Sequence, residues 1–286
     1  MKVTTGRSQA RHVADDTGIA GLYIVENEPL ERLLFNRNRL GSDFRAVCLA
    51  SVRGLVSHVA DELTKDDYSE LVMLSKGLMY QIQTALMLEA DTSLPMNLMA
   101  TTRTTVSGSA ASIGVSYSRL DAGGNRLIIG DTVASGSTIV TALDRYSAQH
   151  ELSSVIVMAL AGAGTGAAHI SQYCAGRGIE CRLLFGLAVF GLGTNGFDLS
   201  FLHPETVCAE RFRERASKQF SGKPVSAVGW DFGSQAMAPE KYRELCWLEA
   251  EAFDLHGHPA LACESRPRSL VNLVHERAAF ENFTPG

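Results

Sequence analysis

The chain has 286 residues, 45% of them hydrophobic and 20% charged, which is enough apolar material for a full buried core in one large domain or two small ones. Its formal net charge of −5 excludes a broad duplex-binding surface, since such surfaces are basic, and it has no run of about 18 apolar residues to cross a membrane. The six cysteines (Cys48, Cys174, Cys181, Cys208, Cys246, Cys263) make no CxxC pair, zinc-ligand spacing or dense disulfide framework; with a Met1 to Gly21 stretch lacking the apolar centre of a signal peptide, they predict reduced thiols and a cytoplasmic location.

Residues 1–20 show no clean period and are expected to form a flexible tail. From Pro29 the pattern changes, and Phe44, Val47, Leu55, Val56 and Val59 predict a core-facing helix from Ser42 or Asp43 toward Leu63. Leu71 to Leu74 is a short buried strand; Ser75, Lys76, Gly77 and Leu78 form a turn, and an apolar helix follows from Met79 to Leu88. Met96 to Ala100 predicts the next strand. The Ser/Thr-rich stretch 101–120 then reads as a mobile loop or a hairpin.

Arg126 to Tyr146, RLIIGDTVASGSTIVTALDRY, is the most informative stretch. An apolar run (Leu127, Ile128, Ile129) leads through Gly130 and Asp131 into a small-residue loop (Ala134, Ser135, Gly136, Ser137, Thr138), and Ile139, Val140, Ala142 and Leu143 recur at helical spacing. Such a strand, loop and helix can aim backbone N–H groups and hydroxyls at one spot, with the positive end of a helix dipole behind them, which suits a phosphate. Asp131 is placed to accept sugar hydroxyls or a hydrated Mg²⁺. The same residues also fit an ordinary strand–helix turn in which Gly and Ser satisfy the helix N-terminus.

Val155 to Leu160 is another apolar strand, followed by Ala161 to Ala167 and a helix from His169 to Gly176. The glycine spacing allows dinucleotide binding, but the next strand, Cys181 to Phe190, has no acid at its far end to hold a ribose. Gly191 to Pro204 reads as loop, with His203 structural or at the surface, and Ala209 to Lys218 as a helix with a solvated charged face. Val225 to Gln235, VSAVGWDFGSQ, reads as a small apolar strand ending in Gly229, Trp230, Asp231, Phe232 and Gly233, either a ligand loop or a core Trp and Phe at a strand end. A helix from Tyr242 to Leu255 and the pair His256 and His258, which lacks a third ligand for a metal, precede a terminal arm.

In this order the stretches resemble the type I phosphoribosyltransferase family, most closely the uracil phosphoribosyltransferases. Ala134 to Thr138 stands where that family has an Ala-Thr-Gly-Gly-Ser/Thr loop, and Phe44-Arg45 falls on its Ser/Thr-x-x-Phe-Arg helix start. Ser75 to Leu78 resembles its Arg-Ala-Gly-Leu diphosphate turn, with Lys76 supplying a charge where the usual Arg is absent. Residues 101–120 take the place of a flexible hood whose Arg would be Arg103, and Ala161 to Ala167 that of its pocket-lining Ala-Ala-Pro-x-Gly turn. Asp231 and Gly233 fall on the first Asp and following Gly of its acceptor loop, Pro-Gly-x-Gly-Asp-Ala-Gly-Asp-Arg; Trp230 and Phe232 depart from it. The first acid of the family's common acid pair is Gly130 here.

The resemblance implies an α/β phosphoribosyltransferase type I fold, a mainly parallel sheet flanked by helices with a small hood. It places that domain at residues 21–262, with 263–286 as a C-terminal arm, and implies a homodimer. The implied reaction transfers 5-phosphoribosyl from phosphoribosyl pyrophosphate to a small planar heterocycle, not uracil itself, releasing diphosphate. Asp131, Arg103 and Lys76 would be catalytic, and Ala134, Ser135, Gly136, Ser137 and Thr138 would hold the 5-phosphate. Ser75, Lys76, Gly77 and Arg103 would hold the diphosphate, with Mg²⁺ carried by the substrate and no metal held by the protein alone. Gly229 to Gly233 would shape the acceptor site. The alternative is a catalytically decayed regulator that binds phosphoribosyl pyrophosphate or a nucleotide.

Overall fold

The computed structural model describes residues 8–36, 39, 41–74, 76–104, 112–196 and 198–228. They all fall in the unit Met1–Phe232; residues 233–286 make up a second unit. The expectations for Ser75, Gly229, Trp230, Asp231, Phe232, Gly233, His256, His258, the helix at 242–255 and the arm at 263–286 lie outside the described residues.

In chain order the elements are β1 (Gln9–His12), α1 (Ala14–Thr17), β2 (Leu22–Glu26), α2 (Glu28–Leu34), α3 (Gly41–Val56), α4 (Ala60–Lys65) and β3 (Tyr68–Leu74). A 3-10 turn (Lys76–Met79), α5 (Ile82–Ala90), β4 (Met96–Thr104), β5 (Ser112–Arg119), β6 (Arg126–Gly130), α6 (Ser137–Ser147) and β7 (Ser154–Ala159) follow. The remainder is β8 (Gly162–Ala163), α7 (Gly164–Ala175), β9 (Glu180–Gly186), β10 (Ala188–Leu192), β11 (Leu199–Ser200), β12 (Val207–Cys208) and α8 (Glu210–Gln219).

Eight strands form one sheet in the order β1-β2-β9-β7-β6-β3-β4-β5. The six from β2 to β4 are parallel, and the two edge strands β1 and β5 are antiparallel to their neighbours. Alternating residues along the inner strands explain why both faces need helices. Ile128, Ile156, Met158 and Leu184 point into a core shared with α2, α3, α4 and α5. Leu127, Ile129, Val155, Val157 and Leu183 point into the opposite core with α6 and α7. A smaller sheet, β11-β10-β12 with β8 alongside β10, carries the chain beyond β9.

Several boundaries differ from the sequence reading for local reasons. Gln9–His12 is an edge strand rather than tail: all four residues are exposed, so no apolar period marked it, and pairing to β2 alone defines it. The helix expected from 42 to 63 is two helices, α3 and α4, with the break at 57–59. β3 begins at Tyr68, because the polar Ser69 and Glu70 are buried in its middle. The helix expected from Met79 starts at Ile82, since Lys76–Met79 closes as a 3-10 turn and Gln81 takes a left-handed conformation, φ 49°. Residues 101–104 and 112–119 are the two arms of an antiparallel hairpin.

The strand expected from Cys181 to Phe190 is broken at Leu187, whose φ of 57° turns β10 out of the large sheet, and α7 begins at Gly164, before His169. Residues 191–204 contain β11. Val225 to Val228 is not a strand; Ala227 is buried and its N–H donates to the Leu199 carbonyl. Among the described residues no helix is long and apolar enough to cross a membrane, and Cys48, Cys174, Cys181 and Cys208 form no disulfide with one another.

Candidate anion site at the carboxyl edge of the sheet

β4, β3 and β6 are parallel neighbours, so the residues that follow or end them emerge on one edge of the sheet. That edge receives Lys76 and Gly77 after β3, Arg103 near the end of β4, and Asp131 with the 132–136 loop after β6. A ligand crevice in an open parallel sheet lies at this edge. β4 runs on four residues past the Leu74–Ala100 pair that ends β3, which carries the exposed Arg103 roughly 10 Å beyond the end of β3.

The turn after β3 packs directly on the end of β6: a Cβ on Gly77 would sit 3.2 Å from the Gly130 carbonyl oxygen, a tight contact that asks β6 to give by a few tenths of an ångström. Gly130 in turn faces Tyr80, and a Cβ there would lie 2.6 Å from the ring. This explains the missing acid of the sequence reading. Tyr80 is fully buried and fills the space, and its hydroxyl accepts a hydrogen bond from the Leu160 N–H at 3.0 Å. Burial, and then the charge of Asp131, push the Tyr80 phenol above the ordinary range.

Asp131 is 4% exposed, and its Oδ1 accepts from the Thr132 N–H at 2.8 Å. Burial raises its pKa from 3.8 to about 6, against the pull of the nearby Lys76 ammonium and the Thr132 N–H. The carboxylate is therefore ionised at neutral pH. Next to it the Thr132 Oγ1 is buried beside the Tyr80 hydroxyl.

The loop that follows is held from below and open above. Val133 pairs with Gly162 of β8, its N–H donating to the Ala161 carbonyl at 3.2 Å and its carbonyl accepting from Ala163 at 2.7 Å. Beyond it the backbone N–H groups of Ala134, Ser135, Gly136 and Thr138 have no acceptor among the described residues. Ser135 Oγ donates to Ser137 Oγ at 3.1 Å, and α6 begins with Gly136 as an N-cap that offers no side chain. Unpaired N–H groups at the start of an 11-residue helix, with its dipole behind them, make an anion cradle.

The glycine run of the β7–α7 connection has a packing role. A Cβ on Gly162 would meet the Phe185 ring at 2.4 Å, and one on Gly166 would meet the Ala134 carbonyl oxygen at 2.4 Å. These glycines let β8 and the start of α7 lie flush against the anion loop, which gives the glycine run a packing reason. Lys76, Gly77, Arg103, Asp131 and residues 134–138 thus share one edge. Tyr80, Thr132 and Gly166 were missed; the one available signal was Gly130 itself, a glycine where an acid was expected. Among the described residues no three His, Cys, Asp or Glu side chains come together to hold a metal ion.

No protein-family model matches the chain, and no curated protein matches its sequence. Solved structures similar to it include a protein of Aquifex aeolicus, 15% identical, with 61% of this chain and 91% of that one covered and a TM-score of 0.43. The adenine phosphoribosyltransferase of Trypanosoma brucei, in complex with AMP, pyrophosphate and ribose-5-phosphate, is 14% identical over 67% of this chain and 91% of that one, with a TM-score of 0.42. The orotate phosphoribosyltransferase of Mycobacterium tuberculosis, in complex with phosphoribosyl diphosphate, is 19% identical over 56% of this chain and 89% of that one, with a TM-score of 0.33.

Proposed function

We propose that this chain is a type I phosphoribosyltransferase, moving a 5-phosphoribosyl group from phosphoribosyl pyrophosphate to a small planar heterocycle other than uracil and releasing diphosphate. One observation carries the reading: a row of unengaged loop amides stands beside a buried carboxylate at the carboxyl edge of a parallel sheet. A phosphate needs N–H donors, and a ribose needs an acceptor for its hydroxyls; the two lie one loop apart.

In this reaction the bond from ribose C1 to the diphosphate oxygen breaks and a bond from C1 to an acceptor nitrogen forms, with positive charge gathering on the sugar between the two. Catalysis is then positioning and charge neutralisation. The amides and hydroxyls of Ala134 to Thr138 bind the 5-phosphate. Ionised Asp131 accepts the ribose hydroxyls and sits where a cationic sugar is favoured. Lys76 and Arg103 balance the departing diphosphate.

Asp131 is the carboxylate that the described residues bring to this edge, and Mg²⁺ is read as arriving on the substrate, where it would neutralise diphosphate charge. The acceptor preference rests on the sequence of Gly229 to Gly233, where Trp230 and Phe232 would crowd a pocket shaped for uracil. A second reading, a regulator that binds phosphoribosyl pyrophosphate or a nucleotide without turnover, is favoured by the Tyr80 ring closing off the position of the first acid.

Incubation with Mg²⁺, phosphoribosyl pyrophosphate and a panel of nucleobases and heteroaromatic acids, with released diphosphate as the readout, tests both. Turnover that Asp131→Ala abolishes, with the folded state kept, supports the enzyme. Calorimetric binding with no consumption across the panel supports the regulator. Absence of both binding and turnover removes both readings.

A further inference from the structure

The phosphate loop is moulded against one face of α7, and that face carries His169. Gly166 and His169 are three residues apart, so they share a side of the helix. Gly166 lies against the Ala134 carbonyl and Gly136, while His169 Nδ1 stands 3.0 Å from the Ser135 carbonyl oxygen. A carbonyl oxygen only accepts, so Nδ1 carries the proton and donates. Ser135 and Gly136 share that peptide, and in a trans peptide the C=O and the following N–H point in opposite directions. Holding the Ser135 carbonyl toward His169 therefore turns the Gly136 N–H away from it.

Two further features make this hydrogen bond consequential. Gly136 has φ 76°, and a flip of the preceding peptide would carry it to a negative φ; as a glycine it takes both readily. It is also buried, and its N–H has no acceptor among the described residues, an orphan donor of the kind that a bound anion or water satisfies. A flipped 135–136 peptide would present a carbonyl oxygen to the anion in place of this donor.

We propose that His169 is a positioning residue of the phosphate site, locking the Ser135–Gly136 peptide so that the Gly136 N–H, and not the Ser135 carbonyl, faces the bound phosphate. The inference rests on the phosphoribosyl reading above and adds to it a residue outside the β6–α6 stretch. It assigns His169 no contact with the reacting atoms.

Calorimetric titration of the full chain with ribose 5-phosphate, and then with phosphoribosyl pyrophosphate and Mg²⁺, tests it in the wild type and in three variants. His169→Phe keeps the ring without a donor, His169→Ala removes both, and His169→Asn returns an N–H donor on a neutral, shorter side chain. The expected result is binding of ribose 5-phosphate at least tenfold weaker in His169→Phe and His169→Ala, recovery to within about threefold in His169→Asn, and unchanged melting temperatures. Where turnover is measurable, KM for phosphoribosyl pyrophosphate rises while kcat stays within about twofold. Equal affinity in the wild type and His169→Phe overturns the assignment. So does weak binding in His169→Asn, which would mean that the imidazole acts through its own charge. A wild type that binds neither ligand overturns the phosphoribosyl reading itself, and this proposal with it.

Discussion

Gly130 shows how much a single side chain decides at this site. By sequence it is an acid lost from a pair; in the folded chain it is the gap into which Tyr80 fits, its ring 2.6 Å from where a Cβ would begin. Restoring the acid alone therefore fails. Gly130→Asp is expected to cost about 3 kcal/mol by overpacking, read as a lower urea midpoint with an unchanged slope. Tyr80→Ala is destabilising by itself but makes room for the side chain introduced at position 130, so the double variant should be more stable than the sum of the single effects predicts by about 1 kcal/mol or more. Strict additivity would mean that the two positions do not compete for the same space.

At the scale of elements, the clamp between β3, α5 and β4 is built on a second buried acid. Glu70 is 4% exposed in the middle of β3, and its Oε2 accepts from Gln83 Nε2 of α5 at 2.8 Å. Gln83 also donates to the Leu94 carbonyl and accepts from the Leu94 N–H, fixing the path from α5 into β4. Burial raises the Glu70 pKa from 4.5 to about 7, with Gln83 pulling the other way. The folded value lies above the unfolded one, so the folded chain holds a proton that the unfolded chain has lost. The resulting stability is fully present below about pH 4.5 and is lost as pH rises through about 7. Glu70→Gln keeps an acceptor for Gln83 without the charge. It should match the wild type near pH 4.5 and exceed it by about 3 kcal/mol at pH 9 in urea unfolding. A difference independent of pH would show that Glu70 does not titrate in this range. Asp131, raised to about 6, adds a slope of the same sign that remains in the Glu70→Gln variant.

At the scale of the molecule, six parallel strands end on one edge, and the β4–β5 hairpin extends past it from the far side of the sheet. Its base is tied by a regular ladder from Leu98–Arg119 to Thr104–Ser112 with a bulge at Ala100 and Thr101, and Arg103 rides on the extension. If the hairpin closes over a bound diphosphate as a hood, amide hydrogen exchange across 101–104 and 112–119 should slow severalfold with phosphoribosyl pyrophosphate and Mg²⁺ present. Exchange that is unaltered at saturating ligand would leave the hairpin as a fixed edge with no closing role.

What the sequence determined by itself was local. Continuous apolar runs at 127–129 and 155–160, the helical spacing from Ile139 to Leu143 and the small-residue loop between them sufficed for strands, helix and anion loop, because those signals reside in neighbours along the chain. Gln9–His12 and the kink at Leu187 were illegible for the opposite reason: pairing to β2 and the divergence of the two sheets define them, and neither leaves a period. The site divides the same way. Asp131 and its loop could be read directly, whereas Tyr80 behind Gly130 and His169 against Ser135 come from segments up to 50 residues away, and only packing α5 and α7 against the end of β6 brings them there.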